Sequence, residues 1–408
     1  MRAHNASDHR TPATRLLCAI IGEVVTQKKD ERMPALIGAS TIDWDVFKRG
    51  LGYHGLGPLA YMSLKAYADT LPPDIVGTLK ATYYASLKQV VAFEEHFFIL
   101  EAACAQQGLL MVPFKGMAIV EDLYAENPVR PSCDIDVLVH REDIDQVITV
   151  MEGLGFEKEL SGLKESYWRT QYHIALRKNV HGRRPLVVEV HWDIDYPRKG
   201  RPLLPEKFNR LREIAVGGRK VKILSVEDTF FGLALHQRRF GQVLNLKDVC
   251  DMGRLLKKYA ATFDWDYIIR ESRSSRLRAT VYFALFQVKF FFDIHVPEQV
   301  MAVLAVPSFQ KKMIERFIRR NTFWDDPDYN LKDRFLKVHF LLYDDIWEPA
   351  VYILVIPIEQ FAKFYELDPY TRKTRWLYHF SFFYVIFRRV LVYWRRLWKW
   401  FDRRCHEE

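Results

Sequence analysis

The chain has 408 residues, which suffices for two domains or for one large domain with helical additions. Hydrophobic residues make up 49% and charged residues 27%, as is ordinary for a folded soluble protein. Five scattered cysteines without a CxxC pair argue against a disulfide framework or a zinc knuckle and favour a reducing cytoplasm.

The formal net charge of +9 is concentrated at the C-terminal end of the chain. Residues 371–404 contain ten Lys or Arg residues and one acidic residue, Asp402, so the rest of the chain sums to about zero. A protein that binds nucleic acid usually spreads its positive charge over a binding face. Nucleic acid is therefore the less favoured partner.

Residues 13–107 predict helices, because apolar residues recur there at spacings of three and four. The Leu-Pro-Pro sequence at residues 71–73 predicts a break between two of these helices, and Gly108 predicts a helix end. The N-terminal residues lack a small-residue cleavage site, so we expect a tail entering a helix rather than a signal peptide.

The middle of the chain changes to short strand patterns with one amphipathic helix, at residues 141–156, among them. Gly217 and Gly218 predict the turn of a hairpin. The predicted strands are residues 109–116, 133–140 and 186–195, and residues 216–224 are either another short strand or a hairpin arm.

Helices return after Ser225, which begins a Ser-Val-Glu-Asp capping box. The order predicts an α+β fold, with a small mixed β-sheet core flanked by N-terminal and C-terminal helical regions. The predicted divisions are a helical region at 1–107, a catalytic core at 108–225, a second helical region at 226–370 and a basic, aromatic helix at 371–408.

Three acidic residues on two predicted strands suggest a metal site. Asp134 and Asp136 are two residues apart, so their carboxylates share one face of a strand, about 6.6 Å apart along it, while Ile135 and Val137 point into the core. Glu189 supplies a third carboxylate if the two strands are neighbours. Mg²⁺ prefers such oxygen ligands, with Mn²⁺ as the alternative, and the carboxylates would repel each other without a cation.

Candidate phosphate-binding residues precede the acidic pair. Lys115 and Gly116 end the first predicted strand, where a glycine lets backbone N–H groups approach a phosphate closely. Arg130 precedes the second strand and is placed to neutralise triphosphate charge. His191 shares a strand face with Glu189, either as a base or substrate-binding group or as a packed histidine.

The chain resembles a family of nucleotidyltransferase fold, the uncharacterised nucleotidyltransferases, over roughly residues 44–256. The resemblance is densest in FKGMAIVEDLY and VRPSCDIDVLVHREDIDQVITVMEGLGFE, and continues in VEVHWDID, VKILSVEDTFFGLALH and NLKDVCDMGRLL. It implies a DNA-polymerase-β-like core in which Asp134 and Asp136 bind metal and Glu189 is the third carboxylate. One departure is Met117, where the wider superfamily usually has serine or glycine. His236, Lys247 and Asp248 also match the family, either as substrate contacts or as helix packing and caps.

The resemblance implies transfer of a nucleoside monophosphate from an NTP such as ATP to an unknown acceptor, a small molecule, peptide or protein, with release of pyrophosphate. The alternative is a non-catalytic member that binds a nucleotide or a partner. Residues 371–404 interleave aromatic residues with arginines, as is typical of helices at an anionic membrane surface, although packing on the domain or on a partner explains the pattern too. We therefore expect a cytoplasmic protein, with peripheral membrane association as one alternative.

Overall fold

Two compact units make up the computed structural model of the protein. Unit 1 comprises Met1–Gly162 and Gln171–Asp345, and unit 2 comprises Leu163–Thr170 and Ile346–Glu408. The domain boundaries at residues 107, 225 and 370 stay predictions. The structure describes residues 11–39, 41–126, 129–159, 171–180, 185–195, 205–238, 246–304, 306–319, 340–345, 348, 358, 362, 367, 368 and 370–380.

The first described part of unit 1 is helical, as the apolar spacing predicts. Thr11 caps the first helix by accepting a hydrogen bond from the N–H of Thr14. The predicted break is present, because the longest of the described helices begins at Pro73, where proline suits the first helical turn. The helices are α1 (Pro12–Thr26), α2 (Met33–Ile37), α3 (Trp44–His54), α4 (Gly57–Leu64) and α5 (Pro73–Ala105).

A five-stranded sheet follows, interrupted by two helices, α6 (Gly116–Leu123) and α7 (Ile144–Gly153). Its strands are β1 (Val112–Pro113), β2 (Ile135–Leu138), β3 (Glu157–Lys158), β4 (His173–Lys178) and β5 (Leu186–His191). The order across the sheet is β1-β2-β5-β4-β3. The central pair β2 and β5 is parallel, and the other three pairs are antiparallel, so the sheet is mixed as expected.

The strands differ in extent from the predicted ones. The first has two residues, and β5 ends at His191 instead of continuing to residue 195. Two strands, β3 and β4, were not predicted. In β4 only Ile174 and Leu176 are buried, and histidine and basic residues flank this short segment. Its alternation of apolar and polar residues is too short to predict a strand from the sequence.

The predicted hairpin forms a separate two-stranded sheet, β6 (Arg212–Val216) paired with β7 (Arg219–Ile223). Gly217 and Gly218 occupy its turn with φ values of 52° and 79°. Such a turn needs positive φ at both central residues, which glycine supplies without steric cost.

All but the final one of the last helices of unit 1 share one hydrophobic core with the first helices and the sheet, and this core contains Leu16, Leu138, Phe230 and Val281. The final helix packs in a second cluster through Ile314 and Ile318. Ser225 caps the first of these helices by accepting a hydrogen bond from the N–H of Asp228 at 3.1 Å, which confirms the predicted cap. They are α8 (Val226–His236), α9 (Leu246–Lys258), α10 (Trp265–Ser274), α11 (Arg278–Phe292), α12 (Glu298–Val303) and α13 (Ser308–Arg319). The α+β class with flanking helices is confirmed.

In unit 2, residues 372–380 are helical. The remainder of the basic segment, residues 381–404, lies outside the described residues. Across the described part of the chain, no helix combines the length and the apolar character needed to cross a membrane.

Candidate functional site

Asp136 and Glu189 are opposite each other on the parallel strands β2 and β5. The two strands are therefore neighbours, which is the condition for Glu189 to supply a third carboxylate. Ile135 and Val137 are buried with 2% and 0% of their surface exposed, as the alternation predicts. Asp136 is thus on the opposite face of β2, together with Leu138.

His191 joins these two carboxylates. Its Nε2 atom lies 2.9 Å from Oδ1 of Asp136 and 3.3 Å from Oε2 of Glu189. The three side chains offer ligand atoms that all lie within 4.8 Å of one another. A group of oxygen and nitrogen donors this close is able to hold a divalent cation.

Asp134 lies immediately before β2, beside this group but outside it. Ser132 donates hydrogen bonds from Oγ to the backbone oxygen of Asp134 at 3.1 Å and to its Oδ1 at 3.4 Å. Burial and the charges of Asp136 and Glu189 raise the pKa of Asp134 to about 6. The third negative charge is therefore costly as long as nothing compensates it.

Glu189 has the opposite electrostatic balance. Burial acts to raise its pKa, but the hydrogen bond from His191 and the nearby imidazoles of His173 and His191 outweigh that and lower the pKa to about 2. Glu189 is consequently ionised at neutral pH and available as an anionic ligand.

Lys115 and Gly116 do not end the first strand, because β1 stops at Pro113; Lys115 precedes α6 beside the acidic group, and Gly116 is the first residue of that helix. Lys115 has φ 57° and ψ −135°, a conformation that costs a non-glycine residue on the order of 1–3 kcal/mol. Its Nζ lies 3.7 Å from Oδ1 of Asp136. A Cβ at Gly116 would lie 3.0 Å from Oγ of Ser132, so the glycine also permits close packing of the loop that carries Asp134.

Arg130 is held by the protein itself. It is 3% exposed, and its Nε and Nη2 donate to Oδ2 of Asp251 in α9 at 2.8 and 2.7 Å. Tyr124 donates to the other oxygen of Asp251 at 2.8 Å. These bonds anchor the loop before Asp134 to α9, and the phosphate-binding role of Arg130 stays a prediction.

His236, Lys247 and Asp248 form a neighbouring network. Nδ1 of His236 lies 2.7 Å from Oδ2 of Asp248, which ties α8 to α9. Nζ of Lys247 donates to the backbone oxygen of Pro131 at 3.3 Å. These contacts account for the three residues as packing and anchoring groups, and a role in substrate binding stays untested.

His173 is a site residue that the sequence did not reveal. Its ring is stacked on His191 with centroids 5.0 Å apart and planes 20° apart, and its Nε2 lies 3.9 Å from Oε2 of Glu189. The two histidines are opposite each other on β4 and β5. Predicting β4 as a strand would have been the necessary signal.

A family model described as uncharacterised nucleotidyltransferase matches residues 40–293, more than half of the chain. Comparison with curated proteins gives no significant match. One similar solved structure is an antigenic nucleotidyltransferase-like protein from Paracoccidioides brasiliensis, 14% identical, covering 52% of this chain and 91% of that chain with a TM-score of 0.31. That likeness is too weak to add to the family match. The matched range contains the acidic residues, Lys115 and the anchoring helix α9, and the chain belongs to the uncharacterised nucleotidyltransferase family.

Proposed function

We propose that the protein transfers a nucleoside monophosphate from an NTP to an acceptor hydroxyl or phosphate. The acceptor oxygen forms a bond to the α-phosphorus, the bond from that phosphorus to the β-phosphate oxygen breaks, and pyrophosphate leaves with the bonding electrons. The proton of an acceptor hydroxyl passes to a carboxylate of the site or to water. The observation that carries the proposal is the pairing of Asp136 with Glu189 on adjacent strands, with Asp134 beside them.

The donor set fits a divalent cation, Mg²⁺ or Mn²⁺. Asp136 and Glu189 supply carboxylate oxygens, and burial together with the charges of these two residues raises the pKa of Asp134, which a bound cation would reverse. When bound, such a cation supplies charge neutralisation for the triphosphate and polarises its phosphoryl oxygens. We assign Asp134, Asp136 and Glu189 to hold it.

Binding and orientation fall to the chain's own groups near β1. The ammonium of Lys115, 8% exposed and 3.7 Å from Asp136, is placed to exchange that carboxylate for a phosphate oxygen once the acidic group is neutralised. Helix α6 begins at Gly116, and the N–H groups of a first helical turn favour a bound phosphate. No side-chain nucleophile is needed, since alignment and charge neutralisation supply the catalysis.

The test is pyrophosphate release from each NTP with Mg²⁺ or Mn²⁺ against a panel of hydroxyl and phosphate acceptors. Asp136→Asn and Glu189→Gln are expected to lower turnover at least about a hundredfold. Asp145→Asn, an exposed change in α7, is the matched control and should leave turnover unchanged. Full activity of Asp134→Asn and Asp136→Asn would mean that the site is wrongly assigned.

A second candidate is nucleotide binding without turnover. Met117, 7% exposed, brings no hydroxyl to the turn after Lys115 and Gly116, where a serine would offer one to a phosphate. Calorimetry that shows nucleotide binding with the same affinity with and without metal, together with no pyrophosphate release, favours this candidate.

We also infer a peripheral contact with an anionic membrane through residues 371–404. In the described part of that segment Trp376 and Phe380 are 61% and 52% exposed and stacked with ring centroids 4.2 Å apart, next to exposed Arg372 and Arg375. Aromatic and basic side chains together suit a lipid headgroup layer. Equal flotation of the full chain and of a chain ending at residue 370 with anionic liposomes would contradict this inference.

A further inference from the structure

His191 occupies a position between the two paired carboxylates that the proposed reaction does not use. Its Nε2 lies 2.9 Å from Oδ1 of Asp136 and 3.3 Å from Oε2 of Glu189, so both oxygens are within reach of one hydrogen atom. Its other ring nitrogen, Nδ1, is buried and has no hydrogen-bond partner among the described residues.

This asymmetry determines where the ring proton belongs. A neutral imidazole carries one proton, and the nitrogen that faces acceptors donates it. In His191 the acceptors are at Nε2, while a proton on Nδ1 would be a buried donor without an acceptor among the described residues, which is unfavourable. The neutral tautomer with the proton on Nε2 is therefore the favoured one.

The ring is also fixed in direction. None of the surface of His191 is exposed, and its ring packs against three aromatic rings, with centroid distances of 5.6 Å to Phe114, 5.8 Å to Tyr172 and 5.0 Å to His173. A side chain enclosed in this way cannot rotate away from the carboxylates without repacking the core. It also has no surface from which to touch a substrate directly.

We propose that His191 is a positioning residue, which holds Asp136 and Glu189 at the separation that one cation requires by donating its Nε2–H between them. The donor offsets the repulsion between the two carboxylates before a cation arrives. Because it contributes a single N–H, it leaves the other lone pairs of both carboxylates available to the cation. Groups that hydrogen-bond metal ligands in this way commonly change metal affinity by about 10–100-fold when they are removed.

This inference rests on the proposed metal-dependent function, but its test does not require turnover. Mn²⁺ serves as the probe, because it takes the same oxygen ligands as Mg²⁺ and free Mn²⁺ is measured by electron paramagnetic resonance. His191→Phe keeps an aromatic ring and removes the donor, whereas His191→Gln keeps an amide N–H near the position of Nε2. His140→Phe is the matched control, since it alters a histidine ring stacked on Phe208, outside the acidic group, and leaves the His191 donor in place.

We expect His191→Phe to weaken Mn²⁺ binding by about 10–100-fold, His191→Gln to recover most of that loss, and His140→Phe to leave Mn²⁺ binding nearly unchanged. Unchanged Mn²⁺ affinity in His191→Phe would overturn the proposal. So would Mn²⁺ affinity in His191→Gln as low as in His191→Phe while both variants unfold at the same denaturant concentration as the unaltered protein.

Nitrogen resonances of ¹⁵N-histidine-labelled, metal-free protein give an independent reading, with the His191 signals assigned by their loss in His191→Gln. We expect a protonated Nε2 and an unprotonated Nδ1, and the reverse pattern would contradict the proposal. A ¹⁵N hyperfine coupling from His191 to bound Mn²⁺ would also contradict it, since it would make His191 a direct ligand. NTP turnover is measured in parallel. Its absence would contradict the proposed reaction but not the role proposed for His191.

Discussion

Asp136 and Glu189 face each other in register across the parallel strands β2 and β5, and Asp134 lies on the same edge just before β2. A slip of one residue between the strands would move Glu189 to the opposite face of the sheet. The register therefore concentrates three carboxylates, with His191 as a donor between two of them. This concentration would stabilise the cation that we propose binds here, and without a cation it destabilises the fold.

Asp134→Asn should stabilise the metal-free protein. Burial and two neighbouring carboxylates raise the pKa of Asp134 from 3.8 to about 6, so the folded state holds this proton more tightly than the unfolded chain does. The free energy of unfolding accordingly falls as pH rises from about 4 to about 6 and stays lower above that range. Removing the charge should raise the free energy of unfolding by about 1–3 kcal/mol at pH 8 and change it little at pH 4.

Urea unfolding at pH 4 and pH 8 in the presence of a chelator measures this effect. Asp145→Asn is the control, because Asp145 is exposed on α7 and lies outside the acidic group. An Asp134→Asn protein no more stable than the unaltered one at pH 8 would refute the electrostatic interpretation.

Arg130→Met should destabilise the protein by about 3–5 kcal/mol, because it leaves the buried carboxylate of Asp251 without its cation. Asp251 is fully buried and accepts hydrogen bonds from Arg130 and Tyr124. The comparison is Lys48→Met, which breaks exposed ion pairs and should cause no measurable change. Denaturant unfolding measures the stability of the two variants. Equal losses of unfolding free energy would show that Arg130 contributes no more to stability than a surface residue.

His54 should make the protein less stable in mild acid. Burial lowers the pKa of His54 from 6.5 to about 3, so between these values the unfolded chain binds a proton that the folded protein does not. The stabilisation is complete above pH 6.5 and is lost progressively as pH falls, by about 2 kcal/mol at pH 5. Nδ1 of His54 accepts a hydrogen bond from the N–H of Leu246 at 3.4 Å, an interaction that needs the neutral ring.

The measurement is the slope of unfolding free energy between pH 7 and pH 5. His54→Asn keeps a hydrogen-bond acceptor and removes the titrating ring. Its free energy of unfolding should therefore fall by about 2 kcal/mol less between pH 7 and pH 5 than that of the unaltered protein. His379→Asn, at an exposed histidine, should leave the slope unchanged. A slope that is the same in His54→Asn and in the unaltered protein would contradict the assignment.

Gly116→Ala and Gly77→Ala should have opposite effects on stability. A Cβ at Gly116 would press on Ser132 at 3.0 Å and approach the backbone oxygen of Asp134 at 3.6 Å, so we expect a loss of about 1–3 kcal/mol. A Cβ at Gly77, within α5, meets nothing within 4 Å, and alanine there should add about 0.5–1 kcal/mol. Denaturant midpoints measure both, and a stabilising Gly116→Ala would show that the loop around Ser132 is loosely packed.

The sequence by itself determined the features that follow from local periodicity and turn chemistry. The alternation around Ile135 and Val137 placed Asp134 and Asp136 on one face, because successive strand side chains point to opposite sides. The Gly217–Gly218 turn and the Ser225 cap were predictable for the same kind of reason, since each satisfies a backbone requirement within a few residues. The motifs also sufficed to identify the family.

Only the tertiary structure decided which distant groups meet. Glu189 reaches Asp136 because β5 pairs with β2, and His173 reaches the site because β4 pairs with β5. Arg130 was predicted to bind phosphate. Its partner in the structure is Asp251, because α9 packs beside the loop that contains Arg130. Strand neighbours and buried ion-pair partners depend on how remote segments pack, which carries no periodic signal in the segments themselves.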